Sequence, residues 1–310
     1  MIYICSLTEI SNQQKFLLLI NRFLIYITCL ALLLISQVSS FAYAATHEVK
    51  RYSNLVLPDT QVRYIKSKIN NISYKLYINL PANYYTSNTK YPVIFLLDAD
   101  YSFPIAKQIV EHLSDRDRIQ DILIVGIAYD GPLEYKMNRT RDYTPVHIKD
   151  GGYGPEYQKA SGGAKKFAGF IRSELIPYID KNFHVNKNRT LVGHSFGGLF
   201  ATWLSFYAPN IFSNYIIVSP SLWYDKHYMF SLQRKTNSHH TKSHNKLFFG
   251  IGNKENGGMY KMVTDLRQFV ENQKTQDKKD LKFIIFPYQD HDTIFPTALS
   301  QGLMFIYQVK

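Results

Sequence analysis

The sequence predicts an α/β fold, with a mostly parallel central sheet and helices on both faces of that sheet. Three observations predict it. Strand-like and helix-like segments alternate along the chain, and most of the strand-like segments are continuously apolar. A glycine-rich turn, Gly193–Gly198, joins one such strand to a helical pattern. Continuously apolar strands are typical of parallel sheets covered on both faces, and the alternation is typical of one layered domain.

Residues 1–44 predict a signal peptide. Lys15 and Arg22 precede the apolar run Phe23–Ile35, and small residues follow as far as Ala42-Tyr43-Ala44. This order matches the charged, apolar and cleavage regions of a secretory signal. We expect cleavage after this motif and a folded domain over residues 45–310.

The exported domain is expected to be secreted or periplasmic, with no stable membrane span after cleavage. The apolar run is shorter than the roughly 20 residues that a spanning helix needs. The alternative is an uncleaved anchor, which would have to extend the run across Asn21 and Arg22.

Composition narrows the function classes. Cys5 and Cys29 both lie in the predicted signal segment, so the domain has no disulfide, thiolate metal site or cysteine nucleophile. The net charge of +12 favours anionic partners. It does not indicate nucleic acid, because the chain has neither a Lys/Arg run nor a recognition motif. The alternative is a lysine-rich surface without a preferred partner.

The strands follow from apolar patterning. The segment Ile72–Leu80 alternates strictly between apolar and other residues, which predicts a half-buried, antiparallel strand. Pro92–Leu97 and Ile122–Ala128 are continuous apolar runs, and the further strands without alternation are Thr190–Val192, Tyr215–Val218, Lys246–Ile251 and Leu281–Phe286. The helical patterns between them are Pro104–Leu113, Ala164–Asn182, Gly198–Tyr207, Met259–Gln273 and Thr293–Val309.

Two stretches carry no sustained period. Asp130–Gly163 is rich in turn residues, and a long segment of this kind in a compact domain predicts a lid or another functional element. Arg234–Asn245 contains His239, His240 and His244. We interpret this stretch as a polar surface loop rather than a metal site, since no element there would fix a ligand geometry. No metal or cofactor is predicted.

The turn Gly193-His194-Ser195-Phe196-Gly197 has the pattern of a nucleophile elbow. A strand leads directly into it and a helical pattern follows, which is the context that G-x-S-x-G requires. The small flanking residues let strand and helix approach closely. Ser195 is therefore the predicted nucleophile, the Phe196 N–H a predicted oxyanion donor, and His194 a packed residue.

A serine hydroxyl needs a base, and the base needs a carboxylate that orients it. His291 follows the last predicted strand and is the predicted base. Glu255 follows the preceding strand and is the predicted acid, with Asp225 one strand earlier as the alternative. A bare Ser–His dyad also remains open. The second oxyanion donor is expected in the turn after Pro92–Leu97, from the N–H of Ala99 or Asp100.

The chain resembles the putative esterase family of α/β-hydrolases, which includes siderophore trilactone esterases, S-formylglutathione hydrolases and mycolyltransferases. The resemblance implies Ser195, Glu255 and His291 as triad and favours the siderophore-esterase branch. The chain departs from the family at Ala99 and at His291-Asp292-Thr293. The matching stretches are Val93–Asp98, Arg141–Pro145, Gly193–Gly198, Ser219–Trp223, Gly252–Glu255, His291–Pro296 and Gly302-Leu303.

Siderophore-type esters can be anionic and aromatic, which fits a basic chain with 24 Tyr and 20 Phe. Arg139, Arg141 and Trp223 are the predicted substrate-binding residues; the alternative for Arg141 is a structural ion pair with a neighbouring carboxylate. The predicted function is serine carboxylic-ester hydrolysis of a small-molecule ester. An acyltransferase with the same triad and a non-catalytic binder of anionic ligands are the alternatives.

Overall fold

A computed structural model describes residues 16–17, 19–32, 56–131, 133–238, 245–257, 260–273 and 277–309. The chain divides into two compact units, Met1–Val56 and Leu57–Lys310. In the first unit, residues 19–32 are helical and exposed. Among the described residues, no helix is long and apolar enough to cross a membrane. The predicted cleavage motif and His239, His240 and His244 lie outside the described residues.

The second unit is built on a central sheet. Within its described residues, eight strands join in the order β1-β2-β4-β3-β5-β6-β7-β10, and β8 pairs with β9 in a separate ribbon. The strands are β1 (Thr60–Lys66), β2 (Ser73–Asn79), β3 (Tyr91–Leu96), β4 (Leu123–Asp130), β5 (Val185–His194), β6 (Asn214–Val218), β7 (Lys246–Gly252), β8 (Asn256–Gly257), β9 (Tyr260–Lys261) and β10 (Leu281–Phe286). All pairs from β4 to β10 in this order are parallel, so the predicted mostly parallel sheet is confirmed.

Helices cover both faces of the sheet, as predicted. They are α1 (Ala99–Ser114), α2 (Tyr135–Tyr143), α3 (Pro155–Gln158), α4 (Ala164–Phe170), α5 (Ile176–Asn182), α6 (Phe196–Tyr207), α7 (Tyr224–Ser238), α8 (Met262–Glu271) and α9 (Ile294–Tyr307), with a π-helical turn at Ile171–Leu175 between α4 and α5. Val93 and Phe95 of β3 face one core with α4, α6 and α8. Ile94 and Leu96 face the opposite core with α1 and α9. Successive strand residues point to opposite faces, which is why one strand serves both cores.

The predicted alternating strand is confirmed as β2. Tyr74, Leu76 and Ile78 are completely buried, and β2 pairs antiparallel with both β1 and β4. The edge strand β1 was not predicted from the sequence. Its central residues are exposed, so it has no buried apolar face that a periodicity could reveal.

Two irregular stretches contain helix that the sequence did not predict. The stretch Asp130–Gly163 holds the nine-residue helix α2. Four of the five buried residues of α2 are polar, so hydrophobic periodicity could not indicate the helix. They are Asn138, Arg139, Thr140 and Asp142, and the fifth is Tyr143. The predicted irregular stretch Arg234–Asn245 is wrong at its start, because α7 continues to Ser238.

Candidate active site

The candidate catalytic residues lie at one edge of the sheet. Strands β5, β6, β7 and β10 are parallel neighbours, so their C-terminal ends meet at the same edge. Ser195 follows β5, Glu255 follows β7 and His291 follows β10. Ser219 directly follows β6, between the strands that carry the other residues.

Ser195 occupies a strained turn that its glycine neighbours make possible. Its backbone has φ 60° and ψ −117°, and its N–H donates to the carbonyl of Val218 at 3.0 Å. A Cβ on Gly193 would lie 2.2 Å from the Gly197 carbonyl oxygen, and one on Gly198 would lie 2.8 Å from the Val218 oxygen. Both are backbone contacts that cannot relax, so only glycine fits. The local sequence therefore enforces the sharp strand-to-helix turn that presents Ser195.

Glu255 and His291 form a hydrogen-bonded pair. The Nδ1–H of His291 donates to Oε2 of Glu255 at 2.9 Å. The other oxygen, Oε1, accepts from the Ser219 hydroxyl at 2.6 Å and from the Gly252 N–H at 2.9 Å. The Glu255 side chain is 1% exposed and that of His291 is 37% exposed. A buried carboxylate with both oxygens satisfied can hold the imidazole while the far ring edge stays accessible.

The loop that carries His291 is tied to the loop that carries Glu255. The Lys254 N–H donates to the carbonyl of Gln289 at 3.0 Å. A Cβ on Gly252 would lie 2.3 Å from that same oxygen, so glycine permits the approach. Asp290 Oδ1 accepts from the backbone and the hydroxyl of Thr293 at the start of α9. Asp290 thus serves the helix start, and the Thr293 contacts lower the pKa of its carboxyl group.

A second helix, α1, begins at this edge directly after β3, the neighbour of β5. Asp98 adopts a left-handed conformation with φ 57°, and α1 begins at Ala99. Its carboxylate lies against the elbow, because a Cβ on Gly197 would be 3.1 Å from Asp98 Oδ2. The N–H groups of Ala99, Asp100 and Phe196 belong to first helical turns, whose donors have no intrahelical partner. The two helix starts therefore bring backbone donors that have no intrahelical partner to the same edge as Ser195.

Arg139 is committed to an internal ion pair. Its side chain is 5% exposed, and Nε and Nη2 donate to the two oxygens of Asp98 at 2.6 and 3.0 Å. Nη1 donates to the hydroxyl of Tyr153, and the Tyr135 hydroxyl donates to Asp98 at 2.8 Å. Burial alone would lower the pKa of Arg139, but the Asp98 carboxylate raises it well above its usual range. The pair fastens α2 to the turn before α1.

Arg141 forms a structural ion pair with a neighbouring carboxylate, which was the alternative to a substrate-binding role. Its Nε and Nη2 donate to the two oxygens of Asp142 at 2.8 and 2.9 Å, and Nη1 donates to Asn138 at 2.8 Å. The Tyr74 hydroxyl donates to the same carboxylate at 2.8 Å. A guanidinium with these partners is positioned to hold α2 on β2.

His194 packs beside the predicted base. Its ring centroid is 4.6 Å from that of His291, and its Nδ1 lies 3.2 Å from the Tyr101 hydroxyl. Burial, with further contributions from His291 and Arg139, lowers the pKa of His194 well below its usual value. His194 is therefore a neutral, packed neighbour of His291 near pH 7.

Aromatic rings surround the residue that follows the nucleophile. The Phe196 ring is 5.3 Å from the Tyr153 ring and 5.9 Å from the Trp223 ring. Tyr153 is 36% exposed and Trp223 is half-buried. The structure thus brings Trp223 close to the elbow.

Sequence reasoning did not single out Ser219, Tyr101 or Tyr153 for the site. Ser219 had a usable signal, because it directly follows a predicted strand of the parallel set. Tyr101 and Tyr153 reach the site through tertiary contacts that no sequence pattern indicates. The alternative acid Asp225 makes no hydrogen bond to His291 among the described residues. Within the same residues, no hydrogen bond joins Ser195 Oγ to His291, although catalytic contacts often tighten only with substrate bound.

The parallel sheet, the elbow and the histidine after the last strand define an α/β-hydrolase. The chain belongs to the putative esterase family, which matches residues 67–297. It is thus a carboxylic ester hydrolase.

Individual relatives agree with this family. The chain is 29% identical to the ferri-bacillibactin esterase BesA of Bacillus subtilis, over 80% of this chain and 90% of the relative. It is also 29% identical to a siderophore enterobactin esterase of Emericella nidulans, over 69% and 81% of the two chains. A crystal structure of an IroE-like serine hydrolase from Shewanella oneidensis superimposes with a TM-score of 0.71 at 28% identity, over 80% of each chain.

Proposed function

We propose that this ester hydrolase acts through Ser195, His291 and Glu255 and that its substrates are siderophore-type esters. The observation that carries the proposal is the hydrogen bond of 2.9 Å between His291 Nδ1 and buried Glu255, at the sheet edge that holds the Ser195 elbow. The names of the two curated relatives support the substrate class.

The reaction begins when an ester carbonyl reaches Ser195 Oγ. His291 Nε2 takes the hydroxyl proton as Oγ forms a bond to the carbonyl carbon, and the imidazolium is stabilised by the Glu255 carboxylate. Negative charge moves to the carbonyl oxygen, where N–H groups of Phe196 and of Ala99 or Asp100 donate hydrogen bonds. Helix starts suit this role because their donors are unpaired and the helix dipole favours an anion there.

The second half of the reaction releases the acyl group. His291 Nε2 returns the proton to the leaving alcohol oxygen as the carbon–oxygen bond of the ester breaks. Water then attacks the acyl-Ser195 carbonyl while His291 takes one of its protons, and the acid product leaves with Ser195 protonated again. No cofactor enters this scheme.

Other contacts hold the catalytic groups in position. Ser219 and the Gly252 N–H fix the carboxylate of Glu255, and Glu255 in turn fixes the ring of His291. The Arg139–Asp98 pair holds the turn that carries the second oxyanion donors. We propose Trp223 as a wall of the substrate pocket.

We further propose that the enzyme is exported, with residues 1–44 as a signal peptide and residues 45–310 as the esterase domain. The charged, apolar and small-residue order of the segment supports this. Cell fractionation with N-terminal sequencing of the mature protein tests it, since an uncut N-terminus would contradict cleavage.

A substrate panel tests the function. Wild type and Ser195→Ala would be incubated with short p-nitrophenyl esters, catecholate trilactones and S-formylglutathione, and the products resolved by chromatography. We expect Ser195-dependent hydrolysis and the highest kcat/KM on the trilactones. A trilactone rate below that of the simple esters would contradict the substrate class. Acyl transfer to added alcohols in preference to water would contradict hydrolysis.

A further inference from the structure

The two arginines near the elbow are not available to a substrate. Arg139 is buried and donates through Nε, Nη1 and Nη2 to Asp98 and Tyr153, and Arg141 donates to Asp142 and Asn138. Both are surrounded by protein groups that satisfy their charge. A positive group that recognises a charged substrate must therefore come from another side chain.

Lys136 is such a side chain. It lies on α2 one turn before Arg139 and is exposed. Its Nζ is 5.7 Å from the ring centroid of Tyr153 and 5.9 Å from that of Tyr157. Within the part of the chain that the structure describes, Lys136 has no carboxylate within 4.0 Å. Its charge is thus held over aromatic faces and remains open to an anion.

The two tyrosine rings form a wall beside this charge. Their centroids are 5.9 Å apart and the rings meet at 70°. The Tyr157 hydroxyl donates to Glu134 at 2.9 Å, which fixes that ring, while the Glu134 carboxylate keeps its charge. The other nearby acid, Glu156, pairs with Lys159 at 2.6 Å. Over the two aromatic faces the described part of the chain thus places the positive charge of Lys136, and the negative charge of Glu134 lies at the hydroxyl end of the Tyr157 ring.

This wall is continuous with the active site. The Tyr153 ring is 5.3 Å from the ring of Phe196, the residue after Ser195, and its hydroxyl accepts from Arg139. Tyr153 thus links the exposed lysine to the elbow and to the turn at Asp98. A substrate ring that rests on Tyr153 would therefore lie beside the residue that follows the nucleophile.

We propose that Lys136, Tyr153 and Tyr157 form a subsite that binds a negatively charged aromatic part of the ester. The inference rests on the proposed esterase function and names the residues that would set its charge preference. The aromatic part stacks on the tyrosine faces, and its anionic group pairs with Lys136 Nζ. Charge-assisted contacts of this kind add specificity on top of stacking.

Matched esters that differ only in charge test the subsite. Phenyl acetate and 3-acetoxybenzoate differ by one carboxylate on the leaving group, and ethyl benzoate and monoethyl isophthalate differ by one on the acyl group. The measured quantity is the ratio of kcat/KM for the anionic ester to that for the neutral ester. This ratio cancels any general loss of activity or folding.

Lys136→Met should lower the ratio about fivefold in at least one ester pair, as expected for one exposed charge pair. Lys136→Arg should retain the ratio, Lys136→Glu should lower it further, and added salt should lower it in wild type but not in Lys136→Met. Tyr153→Leu should reduce kcat/KM for the aryl esters more than kcat/KM for ethyl acetate, which has no aromatic ring. Lys149→Met changes an exposed lysine of the same segment and should leave the ratio unchanged.

Equal ratios in wild type and Lys136→Met for both ester pairs would overturn the subsite. This failure is distinct from failure of the proposed function. If phenyl acetate is hydrolysed by wild type and not by Ser195→Ala, the esterase stands and only the subsite falls. If the two proteins hydrolyse it equally, the proposed function itself falls.

Discussion

The carboxylate of Glu255 lies 2.9 Å from Nδ1 of His291 and is itself fixed by Ser219 and by the backbone of Gly252. This arrangement distinguishes Glu255 from Asp225, the acid that the sequence left as an alternative. It also favours a Ser–His–Glu triad over a bare Ser–His dyad, because the imidazole of His291 has an oriented, buried carboxylate partner.

Replacing the acid tests its role. Glu255→Gln keeps the size of the side chain but removes the charge that stabilises the imidazolium, so kcat should fall by about 10²- to 10⁴-fold. Asp225→Asn is the matched control and should retain wild-type kcat. Steady-state hydrolysis of p-nitrophenyl butyrate measures kcat for both variants. A larger loss of kcat in Asp225→Asn than in Glu255→Gln would show that Asp225, not Glu255, is the acid.

The Arg139–Asp98 pair should dominate the stability of the α2 contact. Arg139→Met leaves the buried Asp98 carboxylate without its partner, and the free energy of unfolding should drop by about 3–5 kcal/mol. Arg172→Met removes an exposed arginine and should change it by less than about 0.5 kcal/mol. Urea unfolding followed by circular dichroism provides the comparison. A loss of under about 1 kcal/mol in Arg139→Met would show that the pair is dispensable.

His194 should make the fold sensitive to acid. Its pKa is lowered in the folded chain, mainly by burial, whereas an unfolded histidine titrates at about 6.5. Below that pH the unfolded chain binds a proton that the folded chain excludes. His194 therefore does not lower the free energy of unfolding above about pH 6.5, and below that pH it lowers this free energy by up to about 1.4 kcal/mol per pH unit.

Unfolding curves at several pH values between 5 and 7.5 measure this effect. His194→Gln removes the titrating group, so the acid-side slope should become shallower than in wild type. His112→Gln alters an exposed histidine and serves as control. If His194→Gln and wild type lose stability in parallel, another group causes the acid sensitivity.

Gly252 should be required for the alignment of the base. An alanine Cβ there would lie 2.3 Å from the Gln289 carbonyl oxygen, so Gly252→Ala must push the His291 loop away from Glu255. We expect kcat to fall by about 10²-fold or more, since small displacements of catalytic groups have effects of this size. Gly169→Ala is the control, because its Cβ would make only an ordinary contact of 3.5 Å with Ile69. Comparable activity of both variants would contradict the tight approach.

The sequence predicts those features that are local in the chain. Leu281–Phe286 has the same bounds in sequence and structure: apart from Lys282 it is apolar, and its side chains are at least partly buried at the edge of the sheet. The elbow is predictable for a related reason, since close backbone approaches dictate Gly193 and Gly198. Residue order along the parallel strands then limits where the base and the acid can be.

Features that depend on tertiary pairing could not be read in this way. The sequence shows Arg139 as a cation but not that Asp98, in a different segment, neutralises it. Hydrophobic periodicity does not reveal helix α2, because most of the side chains that it buries are polar and form hydrogen bonds inside the protein. The edge strand β1 has no buried apolar face, so an analysis of apolar periodicity does not detect it.

Covalent labelling of the nucleophile tests the central claim most directly. Wild type and Ser195→Ala would be treated with a fluorophosphonate and digested, and the modified peptide located by mass spectrometry beside the rate of p-nitrophenyl butyrate hydrolysis. We predict a modified Ser195 in wild type with loss of activity, and an unlabelled Ser195→Ala whose rate is lower by about 10⁴- to 10⁶-fold. Equal hydrolysis rates for wild type and Ser195→Ala would contradict the assignment of Ser195 as the nucleophile.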